Sequence, residues 1–133
     1  MFGKGVYFAN MSSKSANYCF ASSDAPLGVL LLCDVALGQQ YERLSSEYEA
    51  DRSCRKAGAD STWGKGKTRP DPTGNTPLPG DSSLVVPMGK GATSGVKNST
   101  LLYDEFIVYD TKQVRQKYVL TVKFNFKANS SLY

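Results

Sequence analysis

The chain has 133 residues, 41% hydrophobic and 21% charged, proportions that fit a single soluble globular domain and exclude fibrous and disordered classes. Its formal charge of +4 is spread from Lys4 to Lys127 without a basic block, so charge alone carries no argument for nucleic-acid binding. There is no histidine, which excludes a Ser-His or Cys-His nucleophile pair from within the chain, and the widely spaced Cys19, Cys33 and Cys54 form no CxxC and read as reduced intracellular thiols rather than zinc ligands.

In chain order, Gly5-Val-Tyr-Phe-Ala9 is β-branched and aromatic and predicts a short strand. Ser12 or Ser13 is placed to cap a short helix through Ala16, Tyr18 and Cys19, with Ser15 and Tyr18 on one face. The near-continuous apolar stretch from Gly28 to Gly38 predicts a buried central strand. Its longest apolar run, Val29 to Cys33, is too short to cross a bilayer, and no signal segment follows Met1.

From about Ser45 to Ser99 the composition turns to Gly, Pro, Ser, Thr, Asp and Lys, with turn signals at Pro70-Asp-Pro-Thr-Gly74 and Leu78-Pro-Gly80. This predicts a long irregular surface loop region, of the kind that meets a substrate or a partner. Two strand-like runs close the chain, Leu101 to Tyr109 and Lys117 to Phe126, and are expected to pair with each other as antiparallel strands around Asp110 to Gln116.

Several short patterns carry a bland reading beside a chemical one. Gly64-Lys-Gly-Lys-Thr68 ends like a phosphate-cradling loop, but Ser61 stands where the earlier glycine is needed, so it reads as a loop, as does Gly89 to Gly95. The glycosylation patterns at Asn10, Asn98 and Asn129 read as chance matches. Glu105 interrupts an otherwise apolar run: a carboxylate there is either at an exposed edge, paired with a lysine, or catalytic, and residue types alone leave this open. Tyr7 and Tyr18 are by default half-buried packing residues with wet hydroxyls, yet two tyrosines flanking a serine can also hold a flat polar ring.

A longer pattern joins these residues. Phe2-Gly-Lys-Gly-Val-Tyr-Phe-Ala9, Ser13-Lys-Ser-Ala-Asn-Tyr-Cys19, Asp34-Val-Ala-Leu-Gly38, Ser94-Gly-Val96, Leu102-Tyr-Asp-Glu-Phe-Ile-Val-Tyr-Asp110, Gln113-Val-Arg115 and the run from Lys117 to Phe126 closely resemble the poly(ADP-ribose) polymerase family, in its order and over nearly the whole chain.

The resemblance implies an α+β ADP-ribosyltransferase fold with antiparallel sheets, of which residues 1–133 are the C-terminal part of the catalytic domain. It implies NAD as substrate, no metal, and transfer of ADP-ribose to acceptor proteins and to poly(ADP-ribose) with release of nicotinamide. Tyr7 would be the tyrosine of the family's His-Tyr-Glu triad, and with Tyr18 would sandwich the nicotinamide ring. Ser15 would bond the carboxamide, Glu105 would be the triad glutamate on the ribose 2′-hydroxyl, and Lys14 would lie close to that carboxylate and help place it. A glutamate at position 105 resembles the chain-elongating members, which commonly work in the nucleus and respond to DNA breaks through modules not found in this chain.

In the family the triad histidine, the groups for the adenosine half of NAD and a helical regulatory domain precede the segment resembling Met1 to Ala9. The expected alternative is therefore a catalytically incomplete fragment or paralogue acting as an interaction module. A toxin-like transferase of the same fold fits less well, given the elongation-type glutamate. No membrane partner is expected.

Overall fold

The computed structural model describes residues 1–126, so Asn129 lies outside the described residues. Its centre is a four-stranded sheet in the order β1 (Val6–Phe8), β9 (Glu105–Val108), β4 (Ser61–Gly64), β3 (Gln40–Arg43). β9 is interior, antiparallel to both neighbours, and only β3 runs parallel to β4. The result is an α+β fold in which most pairings are antiparallel.

The alternation of side chains along these strands separates two faces. The register Tyr7↔Ile107↔Thr62 puts these three side chains on one face together with Glu105. Phe2 and Ile107 are fully buried there against Ala50 of helix α2 (Ala50–Lys56), whose Cys54 is also buried. Phe2 can lie flat on the sheet because Gly64 offers no side chain: a Cβ there would sit 2.9 Å from the Phe2 ring. Burying such apolar side chains contributes about 1.5–3 kcal/mol each.

The Gly28–Gly38 stretch forms β2 (Leu27–Val35), but not as a buried central strand. Among the described residues it pairs only with β10 (Val114–Lys123), making a two-stranded antiparallel ribbon with a bulge between Gln116 and Tyr118. Leu27, Val29 and Leu31, joined by Val119, project from one face and are each more than half exposed, while Leu30, Leu32 and Val35 are half-buried. Among the described residues no layer lies against that face of the ribbon, so nothing there buries it. The two closing runs therefore do not pair with each other: β9 inserts between β1 and β4, and β10 returns to β2.

The segment from Ser45 to Ser99 is also more ordered than its composition predicts. It holds α2, β4, and two small hairpin-like sheets, β5 (Thr68–Pro70) with β8 (Gly91–Thr93) and β6 (Asn75–Leu78) with β7 (Asp81–Pro87). Backbone bonds from Lys67 N–H to Leu101 O (3.0 Å) and from Thr68 N–H to Leu102 O (2.9 Å) tie it to the chain leading into β9. Turn-rich composition here reports frequent reversals of short strands, not irregularity.

Candidate active site

Helix α1 (Ser12–Ala16) begins from Met11, which caps with no side chain; the expected serine cap is not used. Instead the Met11 carbonyl accepts from Lys14 N–H at 3.1 Å and Ser15 N–H at 3.4 Å, so the helix is hung from the end of β1. A 3-10 turn over Asn17–Cys19 continues it and carries Tyr18. Both β1 and β9 thus deliver their side chains to one end of the sheet, with α1 beside it.

The closest charged contact at this end is between Lys14 Nζ and Glu105 Oε1, at 2.7 Å, with side chains 21% and 19% exposed. Of the bland readings of Glu105, the lysine pair is realised and the exposed edge is not, since β9 lies inside the sheet. Tyr7 stands on the same face: its hydroxyl donates to the Gly3 carbonyl at 2.8 Å and accepts from Phe2 N–H at 2.8 Å. Burial raises its pKa, and the nearby Glu105 carboxylate acts in the same direction. With hydroxyl committed and ionisation disfavoured, Tyr7 offers its ring rather than a proton.

Ser15 is half-buried on α1, while Tyr18 is 71% exposed, so its ring faces solvent. Of the five residues named from sequence, Lys14 and Glu105 are in contact, Tyr7 is close enough to feel the carboxylate, and Ser15 follows Lys14 on the same helix. Tyr109 follows the opposite end of β9 from Glu105 and packs on the Phe2–Ile107 cluster. Its hydroxyl bonds Thr62 Oγ1 at 2.8 Å and the Phe2 carbonyl at 3.0 Å, and burial pushes its pKa up to about 12.

Sequence reasoning missed the residue before Glu105. Asp104 is 1% exposed, and its carboxylate gathers the Gly66 N–H, Arg69 and Asn10. The available signal was a second acidic residue within the same apolar run, since a buried carboxylate demands partners. Among the described residues no group of three or more His, Cys, Asp and Glu side chains gathers that could hold a metal ion, and no helix is long and apolar enough to cross a membrane.

The sequence of the chain matches known proteins closely. The family model of the poly(ADP-ribose) polymerase catalytic domain matches residues 1–124. The chain is 51% identical to poly [ADP-ribose] polymerase 2 of Arabidopsis thaliana over 96% of its own length and 19% of that protein. It is 52% identical to poly [ADP-ribose] polymerase 2-A of Oryza sativa subsp. japonica, again over 96% of the chain and 19% of the relative. Against poly [ADP-ribose] polymerase 1 of Gallus gallus it is 48% identical, covering 97% of the chain and 12% of that protein. The chain therefore spans less than a fifth of the length of these relatives, and within that span it belongs to the poly(ADP-ribose) polymerase catalytic domain family.

Proposed function

We propose that residues 1–133 are the C-terminal part of an NAD-dependent protein ADP-ribosyltransferase domain that moves ADP-ribose from NAD to protein acceptors and to poly(ADP-ribose). The observation that carries this reading is the 2.7 Å Lys14–Glu105 pair beside the Tyr7 ring, in a chain of this family.

The reaction breaks the bond between the nicotinamide nitrogen and the anomeric carbon of its ribose. Nicotinamide leaves neutral, taking the bonding pair, and the carbon carries oxocarbenium-like positive charge until an acceptor oxygen attacks it. An attacking hydroxyl loses its proton in that step, to the Glu105 carboxylate or to water. Glu105 supplies negative charge next to the developing cation and a hydrogen-bond acceptor for the 2′-hydroxyl, while Lys14 fixes the carboxylate's orientation. Tyr7 and Tyr18 provide aromatic walls for the departing ring, and Ser15 a contact to its carboxamide, turning binding energy into alignment. NAD is the substrate, and no metal has a role in this scheme.

The nuclear setting and DNA-break response of chain-elongating members belong to this reading, with DNA contacts made by modules outside this chain. The test is polymer synthesis by the protein that contains this chain. Glu105→Gln is expected to abolish chain elongation; intact elongation contradicts the assignment. The alternative reading is an interaction module without turnover of its own. Nicotinamide release by the 133-residue chain alone would exclude it.

A further inference from the structure

Asp104 is a buried carboxylate with more partners than packing requires. Oδ1 accepts from Gly66 N–H at 2.7 Å and from an Arg69 Nη at 3.2 Å, and Oδ2 accepts from Asn10 Nδ2 at 3.3 Å. Burying a charge is costly unless it is paired, and an amide or a hydroxyl would satisfy the Gly66 N–H as well. The Arg69 ion pair accounts for the charge, and the Asn10 bond on the other oxygen ties the carboxylate to the chain leaving β1.

β1 and β9 pair through Val6↔Val108, Tyr7↔Ile107 and Phe8↔Phe106. Continued by two residues, the same register sets Asn10 opposite Asp104, where the strands are joined by side chains rather than backbone. Just past Asn10, Met11 receives the first N–H groups of α1, which carries Lys14; just past Asp104 comes Glu105. The Asn10–Asp104 bond is thus the last cross-strand tie before the two chains diverge to the partners of the 2.7 Å ion pair. On its other oxygen, Asp104 holds the β4–β5 connector. That connector runs so close that a Cβ on Gly66 would lie 2.1 Å from the Tyr103 carbonyl carbon.

We propose that Asp104 is a positioning residue which, through Asn10, sets the spacing of Lys14 and Glu105 and couples the Gly66–Arg69 connector to it. This rests on the transferase reading for its catalytic consequence, but not for its geometry.

The experiment compares Asn10→Asp with the exchange Asn10→Asp/Asp104→Asn in the full-length protein. The single change removes the N–H donor and sets two carboxylates against each other. The exchange restores one N–H···O bond across the strands and leaves the amide oxygen at position 104 free to accept from Gly66 N–H. For Asn10→Asp, kcat for nicotinamide release should fall on the order of 10- to 100-fold, as for a misplaced reacting group. KM for NAD should stay within about twofold, and the exchange should recover most of kcat.

Crystal structures of the same variants read the geometry directly. The Lys14–Glu105 contact should open beyond about 4 Å in the single variant and close again in the exchange. An unchanged contact in Asn10→Asp, or an exchange that fails to restore it, overturns the proposal. If the wild type releases no nicotinamide, the transferase reading fails while the distances still decide the positioning role.

Discussion

Strand β9 of the central sheet and strand β2 of the ribbon are both rich in apolar residues, yet they end in opposite states. Ile107 of β9 is fully buried between flanking strands, Phe2 and α2, and Val108 is fully buried on the opposite face, whereas Leu27, Val29, Leu31 and Val119 of the ribbon stand more than half exposed. The difference lies in layering: a strand becomes core when something covers it, and hydrophobicity alone does not supply the cover. Glu105 sits on the covered strand, so its half of the Lys14–Glu105 pair is fixed by packing on the sheet, while α1, which carries Lys14, also touches β2 of the ribbon.

This contrast can be tested in order of expected effect. Phe2→Ala empties the centre of the covered face and should cost about 3–5 kcal/mol in urea unfolding. Gly66→Ala forces a Cβ into the Tyr103 backbone and should cost about 1–3 kcal/mol, with loss of the Lys14–Glu105 contact in a crystal structure. Lys14→Met leaves a largely buried carboxylate without its cation and should cost about 1–3 kcal/mol, most of it recovered by adding Glu105→Gln in a double-mutant cycle.

Alkaline pH sharpens the same contrast. Tyr109 is raised from 10.0 to about 12 by burial, and Tyr7 is raised too, so the unfolded chain loses these protons first. Their contribution is whole below pH 10 and drains away as pH climbs from there toward about 12, and Tyr109→Phe should flatten that decline. Leu31→Thr on the exposed ribbon face should change stability by no more than about 0.5 kcal/mol. A large destabilisation there would mean that the ribbon is covered after all.

Much of the candidate site could be nominated from sequence because it is local: Tyr7 lies in a short strand, and Lys14, Ser15 and Tyr18 follow on one short helical segment. Glu105 stood out because an acidic residue in an apolar run needs a reason. The pairing of the closing strands was not legible, since Phe106 or Val119 is equally content beside any apolar strand and register is chosen by distant partners. The order within 45–99 was hidden for a related reason. Its small strands are held by backbone bonds such as Thr68 to Leu102, which leave no mark on composition. Asp104 escaped because its partners, Gly66, Arg69 and Asn10, come from separate stretches of the chain.

The central claim is that this chain holds the nicotinamide half of NAD at Tyr7, Ser15 and Tyr18, next to Glu105. The most direct measurement is a nicotinamide titration followed by NMR on the ring protons of Tyr7 and Tyr18, in the wild type and in Ser15→Ala. The account predicts saturable shifts of both rings that weaken about tenfold when the Ser15 hydroxyl is removed. Rings that stay unmoved at saturating nicotinamide, or shifts indifferent to Ser15, would contradict it.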